Sequence, residues 1–207
     1  MRRMLKFFTF SLAGILALAT AQAARAQGFG AGTDPAPRVD VFGGYSFMRS
    51  NIVTTGTLFS LNGGSGSVAY NLSNWLGIVG DFGFYEQGNA AGLGKSLTLS
   101  SYQFGPRISI RAHSRLVPFA QALLGAGHAS GTLYTTPLGI GQAPLGANSA
   151  FMFTVGGGLD WKLSHTFGIR IVQTEYTYSR FLNGTGNDTR QNNVRLSAGI
   201  LLSFGRR

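Results

Sequence analysis

Few residues of this chain could carry out a reaction. Three histidines, His113, His128 and His165, and seven carboxylates are the whole supply of general acid–base groups, and there is no cysteine. No His, Asp and Glu cluster at metal-ligand spacing, so neither a metal nor any other cofactor is expected. His128-Ala129-Ser130 sets a hydroxyl two positions from an imidazole, the beginnings of an activated nucleophile. Such a pair needs a carboxylate to orient the ring. None occurs between Glu86 and Asp160, and Glu175 would have to reach it through the fold. The glycines of 63–67 and 156–158 precede no helical pattern, which excludes a phosphate loop.

A larger set of charges follows another rule. Asp40 shares its alternate positions with Gly44 and Ser46, and Asp81 with Gly77 and Gly83. Arg107 and Arg111 alternate with Ser101, Gly105 and Ser109, and Asp160 and Lys162 with Thr154 and Gly156. Residues two apart share one face of a strand, so these charges sit among the smallest side chains. If that face is enclosed, each charge needs a partner, because an isolated buried ion is very costly. The expectation is an internal ion-pair network of Asp40, Asp81, Arg107, Arg111, Asp160, Lys162, Arg170, Glu175 and Arg195. Asp81 and Arg107 are expected at similar heights, Asp160 opposite Arg170, and Glu175 near Arg195. Arg170 and Glu175 differ in parity. Either a β-bulge lies near Val172 to Thr174, or Arg170 sits at an interface and extends its head to water.

The elements that must position these charges are eight predicted strands: 38–48, 65–72, 75–86, 97–112, 116–128, 149–163, 167–181 and 192–205. Tight turns at 73–74, 113–115 and 164–166 alternate with long polar links at 49–64, 87–96, 129–148 and 182–191. That rhythm is the connectivity of an up-and-down antiparallel barrel with both termini on one side. Helical periodicity is absent. The strand 116–128, apolar on both faces, has no readable orientation.

An eight-stranded barrel is only wide enough for side chains to fill. Phe, Tyr, Leu and Ile from eight strands would overfill it, whereas Gly, Ser and a few matched ions fit. The oily face therefore points outward, to lipid, and the class is an all-β transmembrane barrel with a polar, side-chain-filled lumen. A lipocalin-like soluble barrel would show the reverse arrangement. Aromatic residues fall in two bands, as membrane interfaces favour. Trp75, Phe119, Trp161, Phe167 and Phe204 form the lower band, and Tyr45, Phe47, Phe84, Phe151, Tyr176 and Tyr178 the upper.

Composition agrees. Only 12% of residues are charged, and aromatics also reach 12%, unlike a disordered chain. Residues 1–26 read as a secretory signal peptide: Arg2, Arg3 and Lys6 precede a short apolar stretch and small-residue cleavage sites. Residues 27–37 form a periplasmic tail, and 38–207 the barrel. Four of the 17 basic and none of the seven acidic residues lie in the signal, so the mature chain carries +6. In an exported protein that surplus suits anionic headgroups and implies no nucleic-acid partner. Arg49, Lys95, Arg180 and Arg190 fall near the upper rim, within reach of lipid phosphates. Residues 133–149, the longest and most apolar link, suit contact with another surface.

The last strand closes the reading. Ser197-x-Gly199-x-x-Leu202-x-Phe204 is similar to the C-terminal assembly signal of bacterial outer-membrane barrels. With 39–50, 76–85 and 104–110, it makes the mature chain resemble the eight-stranded barrels of the OmpA membrane domain and the opacity-type surface proteins. The resemblance implies location in the outer membrane of a Gram-negative-type bacterium and insertion by the barrel-assembly machinery. It also implies contact with outer-membrane lipids, including lipopolysaccharide, and a role in envelope structure or surface contact. No peptidoglycan-binding domain is expected after Arg207. The expected role is non-enzymatic, with a surface partner met through 49–64, 87–96, 129–148 and 182–191. The alternatives are a narrow porin-like channel and a lipid A-modifying enzyme using His128 and Ser130, a spacing similar to that of lipid A deacylase barrels.

Overall fold

The computed structural model describes residues 35–50, 59–87, 97–111, 115–131, 148–180 and 191–206. The expected signal segment, most of the tail, and the greater part of the four long links, with Lys95, Arg190 and His113, lie outside them. The eight strands are β1 (Pro37–Ser50), β2 (Phe59–Asn71), β3 (Leu76–Gln87), β4 (Leu97–Ser109), β5 (Leu116–Gly131), β6 (Asn148–Lys162), β7 (Phe167–Ser179) and β8 (Gln191–Arg206). Each pairs antiparallel with its sequence neighbour, and β8 pairs with β1, so the sheet closes without an edge. Closure satisfies the backbone internally, the condition for strands to cross lipid.

The wall is oily outside and polar inside. Phe82 and Phe104 are 59% and 68% exposed, while Asp81 and Arg107, one and three residues along, are 1% and 3% exposed. Among the described residues no helix is long and apolar enough to cross a membrane, so only strands could do so.

Some boundaries move. β2 begins at Phe59, not 65: Gly63 and Gly64 look like turn chemistry but pair with Ser46 and Tyr45. At Gly63 a Cβ would come within 1.9 Å of the Phe84 carbonyl oxygen, so glycine there permits close approach of strands. Gly199 does the same at the closing seam, where a Cβ would lie 2.4 Å from the Gly44 Cα. β4 stops at Ser109 and β7 at Ser179, short of the expected ends.

The parity conflict is resolved by a bulge. Asp160 pairs with Arg170 and Leu159 with Val172, leaving Ile171 extra; across the other seam, Arg170 pairs with Gly199 and Gln173 with Ser197. Ile171 and Val172 both face outward, so Arg170 and Glu175 both turn in. The bulge starts one residue earlier than expected, and Arg170 is wholly buried rather than at an interface.

Candidate functional site

The lumen is the only place where charged side chains converge among the described residues, and it is built in tiers. Nearest the termini, Asp40 Oδ2 accepts hydrogen bonds from Asn71 Nδ2 (2.8 Å) and Arg111 Nη2 (3.2 Å), and Oδ1 accepts one from Ser203 Oγ (2.6 Å). Arg111 also donates to the Asn74 carbonyl at 2.7 Å.

One step up, Asp160 receives two arginines. Arg170 donates through Nε (2.7 Å) and Nη2 (3.2 Å), and Arg107 through Nη2 (3.3 Å). Arg170 Nη1 adds a bond to Gln173 Oε1 at 2.6 Å. The two guanidiniums share aromatic faces: Arg107 lies 3.7 Å from the Phe119 centroid, and Arg170 lies 4.4 Å from Phe119 and 4.2 Å from Phe42. Ring faces stabilise cations most where water is excluded. A second arginine can therefore be held by a single carboxylate.

The middle tier inverts that ratio. Arg195 donates to Asp81 Oδ1 (Nη1, 2.7 Å), to Glu175 Oε2 (Nε, 2.6 Å) and to the Tyr85 hydroxyl (3.1 Å). Gln121 Nε2 occupies the other Glu175 oxygen at 2.8 Å. Towards the loop end, Met48, Leu61, Leu99 and Met152 are also buried, alongside the hydrogen-bonded Ser50, Ser179, Gln191 and Asn193.

Asp160–Arg170 and Glu175–Arg195 are direct cross-strand partners. Asp81 and Arg107 do not meet. Asp81 stands opposite Gln103 and Arg107 opposite Gly77, which sets Arg107 four positions too low, within reach of Asp160. Lys162 is half-buried at the lower rim, two residues below Asp160. Of the terminal signature, Ser197 faces in and bonds Ser46 Oγ at 2.6 Å, Gly199 faces Gly44, and Leu202 and Phe204 face out.

Phe119 belongs inside, at 6% exposure, not in the lower aromatic band. The strand that carries it is apolar on both faces. Its one amide, Gln121, shares parity with Val117, Phe119 and Leu123, and all four are buried. That amide is the available signal. The burial of Met48, Leu61, Leu99 and Met152 departs from a bore filled by small residues and matched ions alone.

The enzymatic constellation does not assemble. His128 Nδ1 lies 3.1 Å from Ser149 Oγ on the outward rim, whereas Ser130 sits opposite Thr98. Among the described residues no carboxylate bonds His128 and no group of acidic or imidazole side chains could hold a metal.

A closed eight-stranded antiparallel wall, oily outside and ion-paired within, defines an outer-membrane type of barrel. The family model for the outer membrane protein β-barrel domain matches residues 10–200, and the chain belongs to that family. Among solved structures it is similar to Neisserial surface protein A, at 17% identity and a TM-score of 0.64, covering 80% of this chain and 97% of that one. It is also similar to Ail, the attachment invasion locus protein of Yersinia pestis, at 22% identity and a TM-score of 0.53, covering 80% and 99%. No curated protein matches the sequence. The protein is therefore a bacterial outer-membrane β-barrel.

Proposed function

We propose that this barrel is a non-enzymatic surface protein: its lumen braces the wall, and its work is done at the rim and loops. The observation that supports this best is Arg170, stacked between Phe42 and Phe119 and bonded to Asp160 and Gln173. A side chain held on every side fills the bore instead of gating it. The ion pairs tie β1 to Arg111 just after β4, β4 and β7 to β6, and β8 to β3 and β7, a bracing role. The same fold carries Ail, an attachment invasion locus protein, so a contact role suits this architecture. Export through residues 1–26 and insertion through the last strand complete the reading.

Planar-bilayer recording of the refolded protein should show no discrete conductance steps, while deletion of 133–149 should impair adhesion of cells to a surface. The deletion should leave the heat-modifiable gel shift of a folded barrel intact. Steps in the unmodified protein would reject the reading. A narrow ion path is the second reading. It is favoured by Ser101 Oγ, Gln103 Nε2 and Gln121 Oε1, which are buried polar atoms with no partner among the described residues and would bind water in the bore.

A further inference from the structure

The two ends of the barrel carry their cations on opposite faces of the wall. At the loop end, Arg49 and Arg180 stand at outward positions, in step with Tyr45 on β1 and Tyr176 on β7. At the end that holds both termini, Arg38 is in step with Asp40 and Arg111 with Arg107, so both take inward positions. Arg115 and Lys162 meet across the β5–β6 seam, where the Lys162 amide donates to the Arg115 carbonyl at 2.8 Å. They are in step with the buried Val117 and Asp160. These cations therefore ring the mouth of the lumen, not the lipid belt.

The acids there are already engaged. Among the described residues only Asp40 and Asp160 lie at this end, and both are buried. Asp40 is held by Arg111, Asn71 and Ser203, and Asp160 by Arg107 and Arg170. Arg38 and Arg115 are exposed, and neither forms an ion pair among the described residues. Arg38 is placed by its neighbour on β8: Gly205 takes a left-handed φ of 71°, and a Cβ there would come within 3.2 Å of the Arg38 Cβ. Glycine leaves the arginine stem room to lie along β8. The Arg111 side chain is only 7% exposed, yet its Nε has no partner among the described residues. A donor is left over at the floor of the cup. The chain's own ends do not supply the missing charge: 27–34 holds one carboxylate side chain, Asp34, and 206–207 are two further arginines.

The cup is shallow and has two poles. Phe42, Phe119 and Arg170 fill the bore above it, so an occupant enters from the periplasm and goes no further. β1 and β5 are four strands apart in a closed ring of eight, which sets Arg38 and the Arg115–Lys162 pair on opposite walls. A single small anion meets one wall at a time. A mouth of this width keeps a folded surface out of its interior but admits an extended chain end with carboxylates at two points. We propose that this periplasmic mouth binds the acidic C-terminal end of a polypeptide, its α-carboxylate on one pole and an Asp or Glu side chain on the other. Arg38 and Arg115 carry the recognition, because guanidinium forks match carboxylates bidentately. The site does not rest on the surface role of the loops, so adhesion results leave it untouched.

The test uses the full chain refolded in zwitterionic detergent micelles, where both mouths meet solvent, and reads fluorescence anisotropy. The probes are a labelled hexapeptide ending in two acidic residues and a free carboxylate, and its counterpart with amides in place of all carboxylates. The acidic peptide should bind about tenfold more tightly at low salt. R38Q/R115Q should erase that difference while keeping the folded gel mobility. R49Q/R180Q, which removes equal charge from the loop end, should preserve it. Inorganic phosphate should displace the peptide only at about tenfold higher concentration than unlabelled acidic peptide does. A preference that survives R38Q/R115Q, falls equally in R49Q/R180Q, or is absent from the parent protein would overturn the proposal. Phosphate competing as well as the peptide would overturn the two-pole cup, and a cell-wall stem peptide binding more tightly than the polypeptide end would overturn the choice of occupant.

Discussion

In the middle of the lumen one arginine, Arg195, serves two carboxylates, Asp81 and Glu175; nearer the termini one carboxylate, Asp160, serves two arginines. The ingredients are the same and the ratios opposite. Surplus positive charge near the termini is spread over Phe42 and Phe119, whose ring faces are negative. Surplus negative charge in the middle has no such recourse. It is held by hydrogen-bond donors, Gln121 on Glu175 and the forked contacts of Arg195 itself. A carboxylate excess thus depends on one residue, while an arginine excess is shared among several, and the two centres should fail differently.

Removing Arg195 should cost the most. Arg195→Met leaves Asp81 and Glu175 buried without their cation, for a loss of about 3–5 kcal/mol in urea unfolding of the refolded barrel. The charge-free triple D81N/E175Q/R195M should regain most of that, because the cost lies in the stranded charges. A single variant as stable as the parent would show that water already solvates the middle tier.

Asp160→Asn should cost less, about 1–3 kcal/mol, because Arg170 and Arg107 keep their aromatic faces and Arg170 keeps Gln173. Phe119→Leu should cost about 1–2 kcal/mol alone. Combined with Asp160→Asn, it should cost more than the sum, by about 0.5–3 kcal/mol, since each change removes the other's compensation. Strict additivity would mean that the rings merely fill space.

Much of this is legible in the amino-acid sequence. The outward face followed from alternation, since a period of two leaves few choices once charges and glycines share a parity. Arg170 and Glu175 disagreed by one residue, and that disagreement was itself the trace of the bulge. Which acid meets which base was not readable for Asp81 and Arg107. They lie on neighbouring strands whose register is set by the whole closed ladder, and a height guessed from the nearest turn missed by four positions. Gly63 and Gly64 concealed strand as loop, because a residue without a side chain serves a tight approach and a turn equally well. Phe119 concealed its side because its strand is apolar on both faces, and two neighbouring guanidiniums, not hydrophobicity, decide its place.

The smallest expected effect lies on the rim, and it sharpens the contrast between inside and outside. His128 is half-exposed and contacts Ser149 Oγ, with no charged neighbour bonded to it among the described residues. A group that keeps access to the interface loses little when its partner goes, unlike Arg195, whose partners have nowhere else to turn. His128→Ala should therefore shift unfolding by no more than about 0.5 kcal/mol. Lipid A incubated with the variant should stay unchanged in mass, and so should lipid A incubated with the parent. Lipid A that loses an acyl chain with the parent and not with the variant would make His128 a catalytic group and reverse the order, with the rim as the working site and the lumen as its support.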